Sequence, residues 1–179
     1  MTSIDPMLLE RASRIKLLAL DVDGVLSDGK IYFDSSGNEL KSFYTRDGLG
    51  MRALLRYGIR LAIITGRESS IVTQRAAQLG IEFVYQGSVE KLTAYMDLLE
   101  KSGVEEEQVC YAGDDWIDLP VLQRVGLAVT VPGADHEVKN RVHMVTRSEG
   151  GSGAVREICD LIMTAQGHDQ TLLQEILGQ

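Results

Sequence analysis

The fold is indicated by the stretch Ile15-Lys-Leu-Leu-Ala-Leu20, which leads directly into Asp21-Val-Asp-Gly24. A short, almost wholly apolar run that ends in Asp and Gly is typical of a strand buried on both faces of a parallel sheet. Asp21 and Asp23 then lie where this strand meets solvent, at the edge where open α/β sheets bind ligands. Because alternate residues of an extended chain point the same way, both carboxylates can address one substrate. The alternative is a simple Asp-based turn before Gly24.

Three later apolar runs each end in a polar group that the first pair lacks. Their ends carry Thr65-Gly66-Arg67 after residues 59–64, Lys91 after residues 82–85, and Gly113-Asp114 with Asp118 after residues 109–112. The alternation of such runs with helical segments predicts a parallel sheet, so these groups meet at one edge. Two carboxylates, a hydroxyl, a lysine and a second acidic cluster together suit phosphoryl transfer through a covalent aspartyl intermediate.

In order and position, these groups resemble the motifs of the haloacid dehalogenase superfamily of phosphohydrolases. Asp21 and Asp23 match its first motif, Thr65 its second, Lys91 its third, and Gly113-Asp114 with Asp118 its fourth. The resemblance extends from Ile15 to about Gln166. It implies that Asp114 is a metal ligand and that Asp118 orients either a metal-bound water or the motif lysine.

The first and fourth motifs have the residue types that phosphate ester hydrolysis needs. Asp21 can attack phosphorus, which divides the hydrolysis into two easier steps. Asp23 can protonate the leaving oxygen and then activate water against the acyl phosphate. Mg²⁺ prefers oxygen ligands, and we expect Asp21, Asp23 and Asp114 to supply them.

The remaining motif residues offset and hold the charge of the phosphate. Lys91, together with Mg²⁺, counters the repulsion between a carboxylate nucleophile and a phosphate dianion. Thr65 and the N–H groups around Gly66 can hold the equatorial phosphoryl oxygens, where transition-state charge is spread. Asp115 is either an auxiliary metal ligand or the N-cap of the helix that follows, and we favour the cap.

The composition predicts one domain, residues 1–179, with a sizeable core, since 44% of the 179 residues are hydrophobic and no long polar tract occurs. A net charge of −8 without a Lys/Arg block argues against nucleic-acid binding.

No apolar stretch approaches the ~20 residues that span a bilayer. Residues 1–14 lack the apolar core of a signal peptide and read as a short helix with Met7, Leu8 and Leu9 packed inward. We therefore expect a cytoplasmic protein that binds neither nucleic acid nor membrane.

The expected architecture is a doubly wound, mostly parallel, Rossmann-like α/β sheet with helices on both faces and a projecting β-hairpin at about 30–44. The intervals between the motifs are too short for a cap domain, so one protomer leaves its catalytic crevice open. We expect the hairpin to join subunits, because a two-stranded ribbon with apolar side chains is marginal alone. Those side chains are Ile31, Tyr32, Phe33, Phe43 and Tyr44. The alternative is a hairpin folded onto its own domain. Residues 168–179 form either a weak helix or a mobile tail.

Six stretches narrow the resemblance to one family within the superfamily. Residues 21–29, 46–50, 63–67, 85–87, 113–120 and 150–157 are similar to those of 3-deoxy-D-manno-octulosonate 8-phosphate phosphatases. This resemblance implies a capless, Mg²⁺-dependent homotetramer whose hairpins meet at the centre and whose active sites are completed by adjacent subunits. It also implies hydrolysis of an eight-carbon sugar-acid phosphate in lipopolysaccharide synthesis, with Arg67 and Arg75 contacting the sugar acid. An Arg fork suits the carboxylate of such a substrate.

Two alternative functions stay open from the sequence. Phosphatases of nine-carbon, sialic-type sugar-acid phosphates share the capless body, although Arg67 favours the eight-carbon substrate. The chain could also be an inactive assembly module, since related domains occur fused to sugar-activating enzymes. The motif residues of an active phosphatase are all present, which argues against an inactive module. They are Asp21, Asp23, Thr65, Lys91 and Asp114.

Overall fold

Six parallel strands form one sheet in the computed structural model, which describes residues 4–178. They are β1 (Leu17–Leu20), β4 (Arg60–Ile64), β5 (Phe83–Tyr85), β6 (Val109–Ala112), β7 (Leu127–Thr130) and β8 (Met144–Val145). Their order across the sheet is β5-β4-β1-β6-β7-β8. Every pairing in this sheet is parallel, so the expected α/β sheet is confirmed. Residues 1–3 and 179 of the predicted domain lie outside the described part of the chain.

Strand β1 lies in the middle of the sheet, and its four side chains are all buried. Leu18 and Leu20 join the apolar cluster on one face, whereas Leu17 and Ala19 join the cluster on the other. An extended chain produces this alternation, and it explains why the run has no solvent-facing position. The same central position places Asp21 at the middle of the carboxyl edge of the sheet.

Helices cover both faces of the sheet, as the alternation of strand and helix patterns predicts. One face packs against α1 (Pro6–Ser13), α2 (Thr45–Arg56), α3 (Ser70–Leu79) and α7 (Ala154–Ala165). The other face packs against α4 (Lys91–Ser102), α5 (Leu119–Leu122) and α6 (His136–Lys139). Within residues 4–178, none of the helices combines the length and the apolar character needed to cross a bilayer.

The hairpin pairs β2 (Tyr32–Phe33) with β3 (Glu39–Leu40) and is shorter than the segment 30–44 that the sequence predicts. Its outer side chains are exposed, with exposed fractions of 53% for Ile31, 41% for Tyr32, 64% for Phe33 and 54% for Leu40. Phe43 instead packs against the core, with the guanidinium of Arg75 5.7 Å from its ring centroid. The prediction that Phe43 and the half-buried Tyr44 project with the ribbon is therefore wrong, because the chain has turned back towards α2.

The two ends of the described chain are helical. Residues 168–177 form α8 (His168–Leu177), so the helical alternative for this segment is confirmed. The ring of His168 stacks on Tyr57 at a centroid distance of 4.5 Å. The N-terminal segment forms α1, in which Leu8 and Leu9 pack on the core. Met7 is 67% exposed, so its predicted packing is wrong.

The segments between the site motifs contain no added domain within residues 4–178. The hairpin and α2 fill the interval between β1 and β4, and α3 with β5 fills the interval from β4 to α4. The expectation of a capless protein is therefore confirmed. The carboxyl edge of the sheet is left open in a single protomer.

Candidate active site

Four of the predicted site residues lie at the carboxyl edge of the sheet. Asp21 follows β1, and Thr65 follows the neighbouring strand β4; both side chains are almost fully buried. Asp114 lies two residues beyond β6, on the other side of β1, and Lys91 begins α4. Strands β4 and β6 lie on opposite sides of β1, and in open α/β sheets ligands bind in the crevice at such a switch point.

The ammonium group of Lys91 is shared by two carboxylates. It lies 2.7 Å from Asp21 Oδ1 and 2.6 Å from Asp118 Oδ1, and all three side chains are buried. Burial by itself would lower the pKa of Lys91, but Asp21 and Asp118 outweigh it and raise that pKa. Lys91 is therefore a permanent cation that fixes the position of Asp21.

Asp118 uses both carboxylate oxygens in contacts within the protein. Its Oδ1 also accepts a hydrogen bond from the hydroxyl of Tyr111 at 2.5 Å. Its Oδ2 accepts from the backbone N–H groups of Asp114 and Asp115 at 3.1 and 3.2 Å. A Cβ at Gly113 would lie 2.3 Å from Asp118 Cγ, so only glycine permits this return of the chain. Of the two roles implied for Asp118, the structure displays the orientation of Lys91.

Asp115 caps the turn that follows it. Its carboxylate accepts from the N–H of Trp116 at 2.6 Å, which confirms the predicted cap. The helix that follows does not begin at once, since a short turn over 116–118 precedes α5. This turn points Asp118 inwards to the groups described above.

Asp21, Asp114 and Asp118 form an acidic cluster in which one oxygen of each lies within 4.8 Å of the others. Burial raises the pKa of Asp114 to about 7, and Asp21 and Asp118 add to the rise. Burial also raises the pKa of Asp21 to about 6, against the opposing effect of Lys91. Three carboxylates around one lysine leave an excess of negative charge that a divalent cation suits. Because Asp118 is committed to other partners, Asp21 and Asp114 are the side chains that fit Mg²⁺.

The loop after Asp21 is held by close contacts at glycine residues. Gly24 has a φ of 104°, and a Cβ there would lie 1.9 Å from Asp114 Oδ2. Gly150 approaches the same loop from the C-terminal part of the chain, since its Cβ would lie 1.7 Å from the carbonyl oxygen of Gly24. The N–H of Gly151 donates to the carbonyl of Val25 at 3.0 Å. The loop that carries Asp23 is thus packed between Asp114 and residues 150–151.

The carboxylate of Asp23 is not part of the acidic cluster and is instead paired with Lys41. The expected role of Asp23 as a third metal ligand would require its side chain to lie beside Asp21 and Asp114. The structure does not bring these three side chains together. The sequence reasoning missed Lys41 and its neighbour Glu39, whose Oε1 lies 3.9 Å from Lys41 Nζ. A signal was present, since two charged residues alternate with Leu40 in a ribbon that is otherwise apolar.

The expected substrate contacts have different partners. Arg67 lies at the rim of the crevice, with Nη2 3.1 Å from Glu39 Oε1, and Gly66 begins the turn that presents it. The guanidinium of Arg75 lies over Phe43 and donates to Gln78 at 3.5 Å. Arg67 therefore belongs to the edge of the crevice, whereas Arg75 packs on the interface between α3 and the segment before α2.

The comparisons with known proteins agree with this geometry. The family model described as haloacid dehalogenase-like hydrolase matches residues 69–158. The 3-deoxy-D-manno-octulosonate 8-phosphate phosphatase KdsC of Salmonella typhimurium is 50% identical over 176 residues, which cover 98% of this chain and 92% of that protein. The corresponding KdsC of Escherichia coli K12 is 52% identical over 171 residues, covering 96% and 89%.

A solved structure shares both the fold and much of the sequence. The 3-deoxy-D-manno-octulosonate 8-phosphate phosphatase of Moraxella catarrhalis was crystallised in complex with a magnesium ion, a phosphate ion and KDO. It superimposes with a TM-score of 0.92 at 44% identity and covers 94% of this chain and 97% of its own. From the family match and the nearly full-length similarity, we conclude that this chain belongs to the haloacid dehalogenase-like hydrolase family.

Proposed function

We propose that this protein is a Mg²⁺-dependent phosphatase that hydrolyses 3-deoxy-D-manno-octulosonate 8-phosphate to the free sugar acid and inorganic phosphate. The buried Asp21–Lys91–Asp118 arrangement beside Asp114 carries the reaction class. The substrate is proposed from relatives of that name that match nearly the full chain at 50% identity. In this role the enzyme acts in lipopolysaccharide synthesis.

The first step is attack by a carboxylate on the phosphate ester. An oxygen of Asp21 forms a bond to phosphorus while the bond from phosphorus to the sugar oxygen breaks. Asp23 donates a proton to that leaving oxygen. Burial raises the pKa of Asp21 to about 6, whereas the ammonium of Lys91 opposes this rise and favours the ionised nucleophile. Lys91 holds Asp21 from the side and offsets part of the charge that accumulates.

The second step releases phosphate from the acyl phosphate on Asp21. Asp23, now ionised, removes a proton from water as the water oxygen bonds to phosphorus. The bond between Asp21 and phosphorus breaks, and the carboxylate returns to its starting state. Asp21 thus acts first as the nucleophile and then as the leaving group, whereas Asp23 acts first as the acid and then as the base.

Asp21 and Asp114 are the residues that would hold Mg²⁺. When bound, the cation supplies positive charge next to the phosphoryl oxygens, which favours the approach of an anionic nucleophile. Burial and the neighbouring carboxylates raise the pKa of Asp114 to about 7. Such a rise indicates that the site has more negative charge than its own residues neutralise. The donor set of carboxylate oxygens fits the preference of Mg²⁺.

The remaining contacts are assigned by position. We assign Thr65 and the N–H groups near Gly66 to the phosphoryl oxygens, since they face the same edge as Asp21. Arg67 is our candidate for the carboxylate of the sugar acid, because it lies at the rim and its planar fork suits a carboxylate. Arg75 is also proposed as a substrate contact, and its present partner is the face of Phe43.

We also propose that residues 1–179 form one domain and assemble as a cytoplasmic homotetramer through the hairpin. The support is the exposed apolar surface of Ile31, Tyr32, Phe33 and Leu40 on a two-stranded ribbon. Such a ribbon is only marginally stable without further packing. The capless crevice gives a second reason, because a neighbouring subunit would shield the reaction from water.

A phosphate-release assay tests the proposal. We expect turnover of the eight-carbon sugar-acid phosphate that depends on Mg²⁺, and slower turnover of a nine-carbon, sialic-type 9-phosphate. Faster turnover of the nine-carbon ester would replace the proposed substrate while keeping the reaction class. An absence of phosphate release from every ester in Mg²⁺ would support the inactive-module alternative and refute the proposed function.

A further inference from the structure

Lys41 is a buried lysine that the phosphatase motifs do not include. Only 2% of its side chain is exposed, although it follows β3 in a hairpin whose apolar side chains face solvent. Its ammonium pairs with the carboxylate of Asp23 and lies 3.9 Å from Glu39 Oε1. Burying a lysine is unfavourable unless it is paired, so this site is built around its two carboxylate partners.

We infer that Lys41 is a positioning residue for the proposed acid–base residue Asp23, and that β3 is a structural part of the active site. This inference rests on the proposed function. Asp23 lies in an irregular turn over residues 22–26 rather than in a strand, and 24% of its side chain is exposed. The Lys41 ammonium restrains this carboxylate from the hairpin side. Restricting the Asp23 carboxylate to one orientation reduces the entropy that must be lost before proton transfer to the leaving oxygen, and such preorganisation is a known source of catalytic rate.

The same strand also contacts the loop that carries Arg67. Glu39 Oε1 lies 3.1 Å from Arg67 Nη2, and Glu39 Oε2 accepts from Ser69 Oγ at 3.1 Å. Glu39 and Lys41 are two residues apart and thus point to one side of an extended segment, whereas Leu40 between them is 54% exposed. One face of β3 therefore links the acid–base residue to the rim of the crevice, and the other is left for packing.

The leaving-group dependence of kcat/KM separates positioning from a structural role. This parameter reports formation of the phosphoenzyme, in which Asp23 protonates a sugar oxygen but p-nitrophenolate leaves as an anion without help. In Lys41→Met we expect kcat/KM to fall at least ~10-fold for the sugar-acid phosphate, from the range that acid–base catalysis contributes. We expect the value for p-nitrophenyl phosphate to stay within about threefold. Lys41→Arg, which keeps the charge, should restore most of the loss.

Matched variants make the result interpretable. Lys30→Met changes an exposed lysine in the same segment, 72% exposed as a side chain, and should leave both substrates unaffected. Asp23→Asn should show the same dependence on the leaving group as Lys41→Met, but to a greater degree. Lys41→Gln, which is neutral and polar, replaces Lys41→Met where the latter does not fold, as judged by circular dichroism and light scattering.

Each outcome bears on the inference. Equal losses for both substrates in a folded Lys41 variant would overturn it, and so would unchanged values for both. Failure of both neutral variants to fold would identify Lys41 as a structural residue and would also overturn it. Failure of the proposed function is distinguishable, because the wild-type enzyme would then not hydrolyse the sugar-acid phosphate at all.

Discussion

The hydroxyl of Tyr111 donates a hydrogen bond of 2.5 Å to the carboxylate of Asp118, and both side chains are inaccessible to solvent. Tyr111 comes from the buried strand β6, and Asp118 from the turn that follows the strand. The bond fixes the carboxylate that in turn orients Lys91. Strand β6 therefore supports the site through Tyr111, a buried residue that a substrate does not reach.

Replacement of Tyr111 by Phe should destabilise the protein, because it leaves a buried, charged acceptor with one donor fewer. We expect a loss of about 1–3 kcal/mol in the free energy of unfolding, measured by urea denaturation. We also expect a decrease in kcat, since Lys91 is then less constrained. Tyr95→Phe is the matched control: the Tyr95 hydroxyl is buried and has no hydrogen-bond partner among residues 4–178. An equal loss in both variants would contradict the role of the Tyr111 bond.

Replacement of Asp21 by Asn should abolish turnover, because an amide does not attack phosphorus. The fold should persist, since the substitution keeps the shape of a side chain packed beside Lys91. Phosphate release and circular dichroism measure the two effects. Mass spectrometry must exclude deamidation back to Asp. Turnover like that of the wild type in such a sample would remove Asp21 from its assigned role.

Replacement of Asp114 by Asn should weaken Mg²⁺ activation and also change how stability depends on pH. In the metal-free protein the folded pKa of Asp114, about 7, lies above its ordinary value of 3.8. Between these values the folded state holds a proton that the unfolded state has lost, so stability falls as pH rises through this window. Asp114→Asn removes this contribution. In EDTA it should therefore melt a few degrees above the wild type at pH 8, but not at pH 4, since about 1 kcal/mol shifts Tm by ~2–4 °C at this size.

Addition of Mg²⁺ is the control for that measurement. The cation should raise the Tm of the wild type at pH 8 and have much less effect on Asp114→Asn. If the two proteins show the same pH dependence in EDTA, Asp114 does not carry the raised pKa. If both respond equally to Mg²⁺, the cation does not bind at Asp114.

Charges on the exposed side of the hairpin should disrupt the proposed tetramer. The suitable pair is Phe33→Asp with Leu40→Asp, since 64% and 54% of these residues are exposed in one protomer. Phe43 is unsuitable because it packs on the core beside Arg75. Unpaired charges in a subunit interface are unfavourable, so we expect smaller particles by light scattering and an unchanged circular dichroism spectrum. We expect kcat/KM to fall more for the sugar-acid phosphate than for a small ester.

Two results would count against this assembly. A wild-type protein that is monomeric in solution would refute the tetramer directly. A charged variant that is monomeric and still hydrolyses the sugar-acid phosphate normally would show that no neighbour completes the site. The hairpin would then serve assembly alone.

The strand ends were predictable because the parallel topology follows from short apolar runs that alternate with helical segments. Once β1, β4 and β6 are recognised, Asp21, Thr65 and Asp114 must meet at one edge. The Asp23–Lys41 pair was not predictable in this way. It joins residues 18 positions apart through a hairpin whose orientation towards the crevice is set by tertiary packing.

The turn at Asp118 shows the same limit at short range. The pattern of residues 116–125 favours one helix, yet the carboxylate of Asp118 accepts bonds from the N–H groups of Asp114 and Asp115 and reshapes the start of that helix. These local side-chain bonds compete with helix formation. The orientation of the Phe43 side chain was not predictable for another reason. The hairpin and the chain that follows it have the same apolar pattern, so the sequence does not show where the hairpin ends.

The contact between Gly150 and the carbonyl of Gly24 bears on the order in which the enzyme matures during synthesis. A ribosome that has released residues 1–120 has already produced Asp21, Asp23, Lys91 and Asp114. The loop between Asp21 and residue 27 still lacks its support, because the bond from Gly151 to Val25 requires residues that emerge later. A nascent chain therefore holds the catalytic groups before it holds their geometry. The loop that carries Asp23 therefore gains this support only after residues 150–151 have been added to the chain.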